Sequence, residues 1–301
     1  MTSPTPENAD PTTRAGTGAL MAVTAMICVQ LGLALSVGLF DRIGPLGTAA
    51  VRLGCAGVVL LLLTRPRPGH FSRSGLRACL LLGVVTGGLM VLFMLAVSRI
   101  PLGTASALEF LGPLVIALVG EKGRRKWWAV SAAAGVLLLT QPWHGGVDAL
   151  GVVYALGAGA CWAGYILLTQ RVGDEVTGLR GLAVSMAVAA LVAMLVAAPA
   201  DLGRVTWPVL LIGLGLALLH PVLPFVLEFL ALRRLTTSAF GILMSLEPGI
   251  ALVIGFLALN QVPGYGPAVG VALVVAAGIG VTRTGGRDRL PGQPPTRNAV
   301  S

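Results

Sequence analysis

From residue 18 to residue 282 the chain alternates between long apolar stretches and short breaks that carry its charges, prolines and many of its polar residues. The apolar stretches lie near 18–39, 46–64, 77–97, 102–120, 127–141, 149–170, 179–198, 208–231, 236–257 and 263–282. A hydrocarbon layer about 30 Å thick needs about 20 such residues per crossing. A backbone in lipid must satisfy its own hydrogen bonds, so runs of this kind are helices. The pattern predicts an all-α membrane protein with ten transmembrane helices. Residues 1–17 and 283–301 are polar and rich in proline, and are expected to be disordered tails. No break between helices is long enough for a soluble nucleotide-binding or catalytic domain, and no phosphate-binding G-x-x-x-x-G-K-[ST] is present, which excludes an ATP-driven pump in one chain.

Composition agrees: 55% of residues are hydrophobic, 11% are charged and the mean hydropathy is +0.88, so a water-soluble globule is excluded. The 41 glycines suit helices that pack closely in lipid. A net charge of +9 would fit a nucleic-acid partner, but the basic residues sit in the short breaks and not on one folded face. Their distribution instead sets orientation. If both termini are cytoplasmic, seventeen Lys and Arg flank the cytoplasmic side and only Arg42, Arg99 and Arg204 the outer side. The positive-inside rule then gives N-in and C-in, with lipid headgroups as the partner of the basic breaks and no nucleic acid. Trp127, Trp128, Trp143 and Trp207 fall at helix ends, as interfacial rings do, whereas Trp162 lies in mid-helix. Cys28, Cys55, Cys79 and Cys161 lie in apolar stretches with no metal-binding spacing, so neither metal nor cofactor is implied.

Shifting the chain by 135 residues lays Arg99 on Arg234, Leu111 on Leu246 and Pro113 on Pro248. Two repeats of five helices, 18–141 and 149–282, are therefore expected. Five is odd, so the repeats cross the membrane in opposite senses. Inverted repeats of this kind are typical of secondary transporters, with the site between the halves near the midplane.

Charges within the apolar runs mark where such a site would be, because each is costly there. Glu109 and Glu247 lie midway along the fourth and ninth helices. Pro113 and Pro248 cannot donate to the carbonyls of Glu109 and Met244, so each carboxylate has a spare backbone acceptor nearby. Such a site suits an ammonium group or a proton; a structural hydrogen bond is the other reading. Glu228 is nearer the cytoplasmic end of its helix, within reach of headgroups, Arg233 or Arg234. Arg52 lies in the second helix and would either snorkel outward or hold a carboxylate, of a substrate or of a glutamate. His220-Pro221-Val222-Leu223-Pro224-Phe225 is expected to break the eighth helix twice, freeing the carbonyls of Ala217 and His220 and lining a pathway. Trp162, Tyr165, Phe110 and Phe225 are candidates for shaping the cavity or for packing.

Four blocks carry a resemblance: PLGTASALEFLGPLVIAL at 101–118, LGAGACWAGYILLTQRVG at 156–173, LPFVLEFLALRRL at 223–235 and FGILMSLEPGIA at 240–251. The chain resembles the drug/metabolite transporter superfamily, EamA type, and within it the bacterial threonine and homoserine exporters. The resemblance implies two inverted five-helix bundles in the bacterial inner membrane. It also implies efflux of small amino acids driven by the proton gradient, with the substrate and protons as partners. Export of purines, nucleosides or drugs is the alternative within the superfamily. An integral-membrane enzyme would need converging His or Asp clusters, whereas His70, His144 and His220 lie in separate regions.

Overall fold

The computed structural model describes residues 11–67, 69, 71–119, 126–141, 148–176, 180–197, 202–232, 234, 240 and 243–284. Among these, every regular element is helical. The helices are α1 (Pro11–Val37), α2 (Phe40–Thr64), α3 (Arg73–Val97), α4 (Leu102–Glu109), α5 (Leu111–Val119), α6 (Lys126–Thr140), α7 (Ala149–Glu175), α8 (Arg180–Val196), α9 (Trp207–Ala217), α10 (Leu223–Leu232), α11 (Glu247–Leu259) and α12 (Tyr265–Thr284). A π-helical turn, Leu218–Val222, joins α9 to α10. Four long apolar helices and six shorter apolar segments provide ten passes, with α4–α5 together forming the fourth and α9–α10 the eighth.

Local chemistry explains several ends. Ser72 and Asp148 cap α3 and α7 by accepting from the N–H groups of Gly75 and Gly151. Asn260 closes α11 in the left-handed region, φ 53°, where asparagine is tolerated. Three departures from the sequence pattern have identifiable causes. First, α1 starts at Pro11, within the segment expected to be a disordered tail. Proline is favoured in a helix's first turn, and adding a turn to a helix already nucleated in the apolar run costs little. Residues 1–10 and 285–301 lie outside the described residues.

Second, the fourth and ninth passes are interrupted at mid-length. Glu109 ends α4 and Phe110 forms the turn into α5, in the turn whose ladder Pro113 cannot complete. Glu247 opens α11 after a turn at Ser245–Leu246, with Pro248 in the first helical turn, where no donor is needed. Third, the eighth pass breaks once, not twice. The break is at His220, φ −157° and ψ 114°, before Pro221, whereas Pro224 sits in the opening turn of α10 and leaves that helix intact.

The passes pack in a matched pattern. The third rests on the sixth (α3 on α7) and the first on the eighth (α1 on α10); the second meets the seventh (α2 on α8), the fourth the ninth (α4 on α11) and the fifth the tenth (α6 on α12). Small residues allow the close approaches. A Cβ on Gly83 would lie 2.6 Å from the Ser185 carbonyl oxygen, and one on Gly135 or on Gly270 would lie 2.8 Å from the carbonyl oxygen of the other. Alanines dominate the main core, where Ala50, Ala96, Ala105, Ala155, Ala158 and Ala189 are fully buried. Leu62, Leu63, Leu195 and Leu257 are exposed, as lipid-facing side chains must be.

One end of α4 is fastened to the end of α11: Gln261 Oε1 accepts from the Leu102 N–H at 2.9 Å, and Gly103 lies against the Leu252 backbone. Beside it Arg99 pairs with Asp148 at 2.8 Å. The Gly151 N–H, and after it the Arg99 guanidinium, hold the Asp148 carboxyl below its ordinary value of 3.8. A carboxyl depressed by folding stabilises the protein above the unfolded value and loses that contribution as pH falls through the folded one. Melting between about pH 5 and about pH 3 is therefore expected to fall more steeply for the wild type than for Asp148→Asn; equal slopes would remove the pair from stability.

Candidate functional site

Of the buried carboxylates, Glu247 has the fullest polar surroundings. It is 6% exposed at the start of α11, and its Oε1 accepts from Gln30 Nε2 of α1 at 3.1 Å. Its Oε2 and the Oε1 of Gln30 have no partner. Two acceptors are thus left open on one hydrogen-bonded pair, in a place where an unsatisfied polar atom is expensive. Gln30 was not among the residues singled out from the sequence. It carries no charge to betray it, and the available signal was a single amide inside ICVQLGL, at 27–33.

Glu109, at the end of α4, is partly buried and within electrostatic reach of Glu247. Its backbone is held from behind by α7: a Cβ on Gly159 would lie 2.7 Å from the Glu109 carbonyl oxygen, and one on Gly112 would lie closer still to the carbonyl oxygen of Gly159. The neighbouring Phe110 ring meets Trp162 of α7 edge to face, with centroids 6.1 Å apart and planes at 70°. Tyr165, three residues on from Trp162, shares its helix face and is within electrostatic reach of Glu228. Glu228, partly buried on α10, is in turn within reach of Glu247. Arg234, expected as a partner for Glu228, instead donates from Nη1 to the Leu230 carbonyl at 2.9 Å, and Arg233 lies outside the described residues. The side chain of Phe225 does too, although its backbone is part of α10.

Arg52 does not snorkel. It is 3% exposed on α2, and its Nη2 lies 2.6 Å from Nδ1 of His220 and 3.3 Å from the His220 carbonyl oxygen. Nη1 approaches Sδ of Met94 at 3.8 Å, and Nε has no partner. A guanidinium only donates, so Nδ1 of His220 is the acceptor. The carbonyl that Arg52 engages is one that Pro224 cannot serve four residues on. This His220 centre and the Glu247 centre meet on α1. Gln30 serves one, and Gly32 presses on the other, where a Cβ would lie 2.9 Å from Cβ of His220. Gln30 and Gly32 are about 3 Å apart along the axis of α1 and about 200° apart around it, so the two centres lie against different faces of one helix.

Ten apolar passes, two of them interrupted at buried carboxylates, define a multi-pass membrane protein with a polar interior of the kind transporters use. The EamA-like transporter family matches residues 16–139 and 149–283, and the chain belongs to that family. Threonine/homoserine exporter RhtA of Escherichia coli strain K12 is 36% identical over 269 residues, covering 88% of this chain and 91% of its own. RhtA of Salmonella typhimurium strain LT2 is 36% identical over 275 residues with the same coverage. A solved crystal structure of another protein shares the fold at a TM-score of 0.57 and 20% identity, covering 88% of this chain and 98% of that one.

Proposed function

We propose that this protein is a secondary active exporter of small amino acids, of the threonine and homoserine kind, in the bacterial inner membrane. It works by proton antiport with alternating access between two inverted repeats, 18–141 and 149–282. The observation that carries the reading is the buried Gln30–Glu247 pair with two open acceptors, which is what an ammonium group needs. The exporters at 36% identity across most of both chains supply the substrate class. The matched packing supports the repeat. Exchanging the halves turns the third-on-sixth contact into the eighth-on-first, and three further contacts join a pass to its own counterpart.

Glu109 and Glu247 are within electrostatic reach of each other, and two carboxylates that interact disfavour being charged together with nothing between them. A proton or an ammonium group neutralises the pair. In this mechanism Glu247 with Gln30 receives the substrate ammonium and Glu109 carries the proton, so the two cations compete and leave on opposite sides. Arg52, a buried cation on α2, favours a cargo that carries a carboxylate over a purine or nucleoside.

Proteoliposomes loaded with labelled threonine or homoserine test the function. Efflux is expected to accelerate when the outside is made acidic relative to the lumen. Efflux indifferent to the gradient would replace antiport with facilitated diffusion, and no efflux of any amino acid would end the reading. Orientation has its own test: a reporter fused after Ser301 is expected to be active only in the cytoplasm, and periplasmic activity would reverse the topology.

A further inference from the structure

The guanidinium of Arg52 is a buried cation in neutral company. Its contacts are an imidazole nitrogen, a backbone carbonyl and a thioether, and among the described residues no carboxylate pairs with it. A charge removed from water is ordinarily held by an opposite charge or a full set of hydrogen bonds. Here Nε has neither. The side-on fork with which a guanidinium grips a carboxylate is made by Nε and Nη2. In this structure half of that fork is open and the other half is spent on His220.

We propose that Arg52 is the subsite for the carboxylate of the substrate, and that it takes that group by giving up His220, so that substrate binding unfastens the hinge of the eighth pass. The proposal rests on the exporter reading and adds a residue and a coupling step to it. Both contacts that Nη2 makes are to the residue at the break. His220 has left helical geometry, and its carbonyl lacks the amide donor that Pro224 cannot provide. Nη2 has two N–H groups and the fork takes one, so when a carboxylate occupies it, Nδ1 or the carbonyl of His220 loses its donor inside an apolar bundle. The turn must then move or admit water. The same turn bears on Gly32 of α1, and α10 packs along α1, so motion at the hinge is passed to the helix that carries Gln30. Coupling of this kind is reciprocal: what loosens the hinge also raises affinity for the carboxylate.

The test compares L-threonine with L-threoninamide, which keeps the ammonium group and side chain but has no carboxylate, on purified full-length protein. The wild type is expected to bind threonine more tightly, by about tenfold or more for a charge-assisted hydrogen-bonded pair. Arg52→Gln is expected to bind both ligands equally and as weakly as the wild type binds the amide. His220→Ala removes the competitor, so threonine should bind several-fold more tightly while the amide is unchanged. A histidine that merely supported the fold would show the reverse. Backbone hydrogen exchange at 217–223 in the wild type needs no substitution, and is expected to rise with threonine and not with threoninamide.

A threonine preference surviving in Arg52→Gln, weaker threonine binding in His220→Ala, or unchanged exchange at the hinge with bound threonine would each overturn the proposal. If the wild type binds no amino acid, small carboxylates with other side chains are assayed by the same exchange measurement. A response that depends on Arg52 would keep the subsite and discard the amino-acid reading. No response to any carboxylate would discard the subsite.

Discussion

Glu247→Gln is expected to abolish both exchange of labelled threonine and export against a pH gradient, whereas Glu109→Gln is expected to abolish export and leave exchange running. The two glutamates are within electrostatic reach of each other, yet the proposed mechanism gives them different work. Glu247 belongs to a pair with Gln30 whose open acceptors can receive an ammonium group, so removing its charge removes a charged hydrogen bond to the substrate. Such bonds contribute about 1.5 to 3 kcal/mol, or about 10- to 100-fold in affinity. Glutamine preserves the shape and hydrogen bonding of Glu109 but cannot titrate, so a carrier that swaps substrate for substrate still turns while one that must swap substrate for a proton stalls. The measurement is exchange and gradient-driven export in the same vesicles for each variant. Unchanged export in both would leave the glutamates as structural groups. Exchange lost in Glu109→Gln and kept in Glu247→Gln would reverse the assignment.

Gly112→Ala is expected to cost the protein much of its stability, and Gly215→Ala none of it. A methyl group at Gly112 collides with the carbonyl oxygen of Gly159, and the obstacle is backbone, so no rotamer change relieves it. Overpacking a fitted contact costs about 1 to 3 kcal/mol, and here helix α7 must retreat as a whole. That retreat would also withdraw the support behind Glu109, so transport should fall with the melting temperature. At Gly215 nothing lies within 4 Å, and alanine in an exposed helix interior is favoured over glycine by about 1 kcal/mol. Thermal melts of the two variants, followed by monodisperse elution, separate the cases. Equal melting temperatures would show that the α5–α7 contact yields more readily than its geometry implies.

The number of passes was legible because a bilayer imposes one length on every crossing, and an apolar run of that length has little else it can be. The mid-membrane carboxylates were legible for a related reason: charge in an apolar run is conspicuous. What the sequence did not disclose depends on neighbours distant along the chain. Gln30 gains its meaning from a residue 217 positions away. Arg52 and His220 are 168 positions apart, and only folding shows that an arginine suspected of snorkelling is buried on the one residue where the eighth pass leaves helical geometry. Prolines were half legible. They mark where a ladder lacks a donor, but whether the helix breaks or merely begins there depends on register. Pro221 follows a break, while Pro224, three residues on, opens an intact helix.

The fourth and ninth passes are fastened to each other at the Leu102–Gln261 end and interrupted half-way, at Glu109 and Glu247. A pair of rods joined at one tip behaves as tweezers, in which displacement grows with distance from the join. The proposed binding groups sit at the middle of the arms, so a swing that parts the far ends widely moves the carboxylates by only a fraction of that. A carrier built this way can open and shut around its cargo without pulling apart the groups that recognise it.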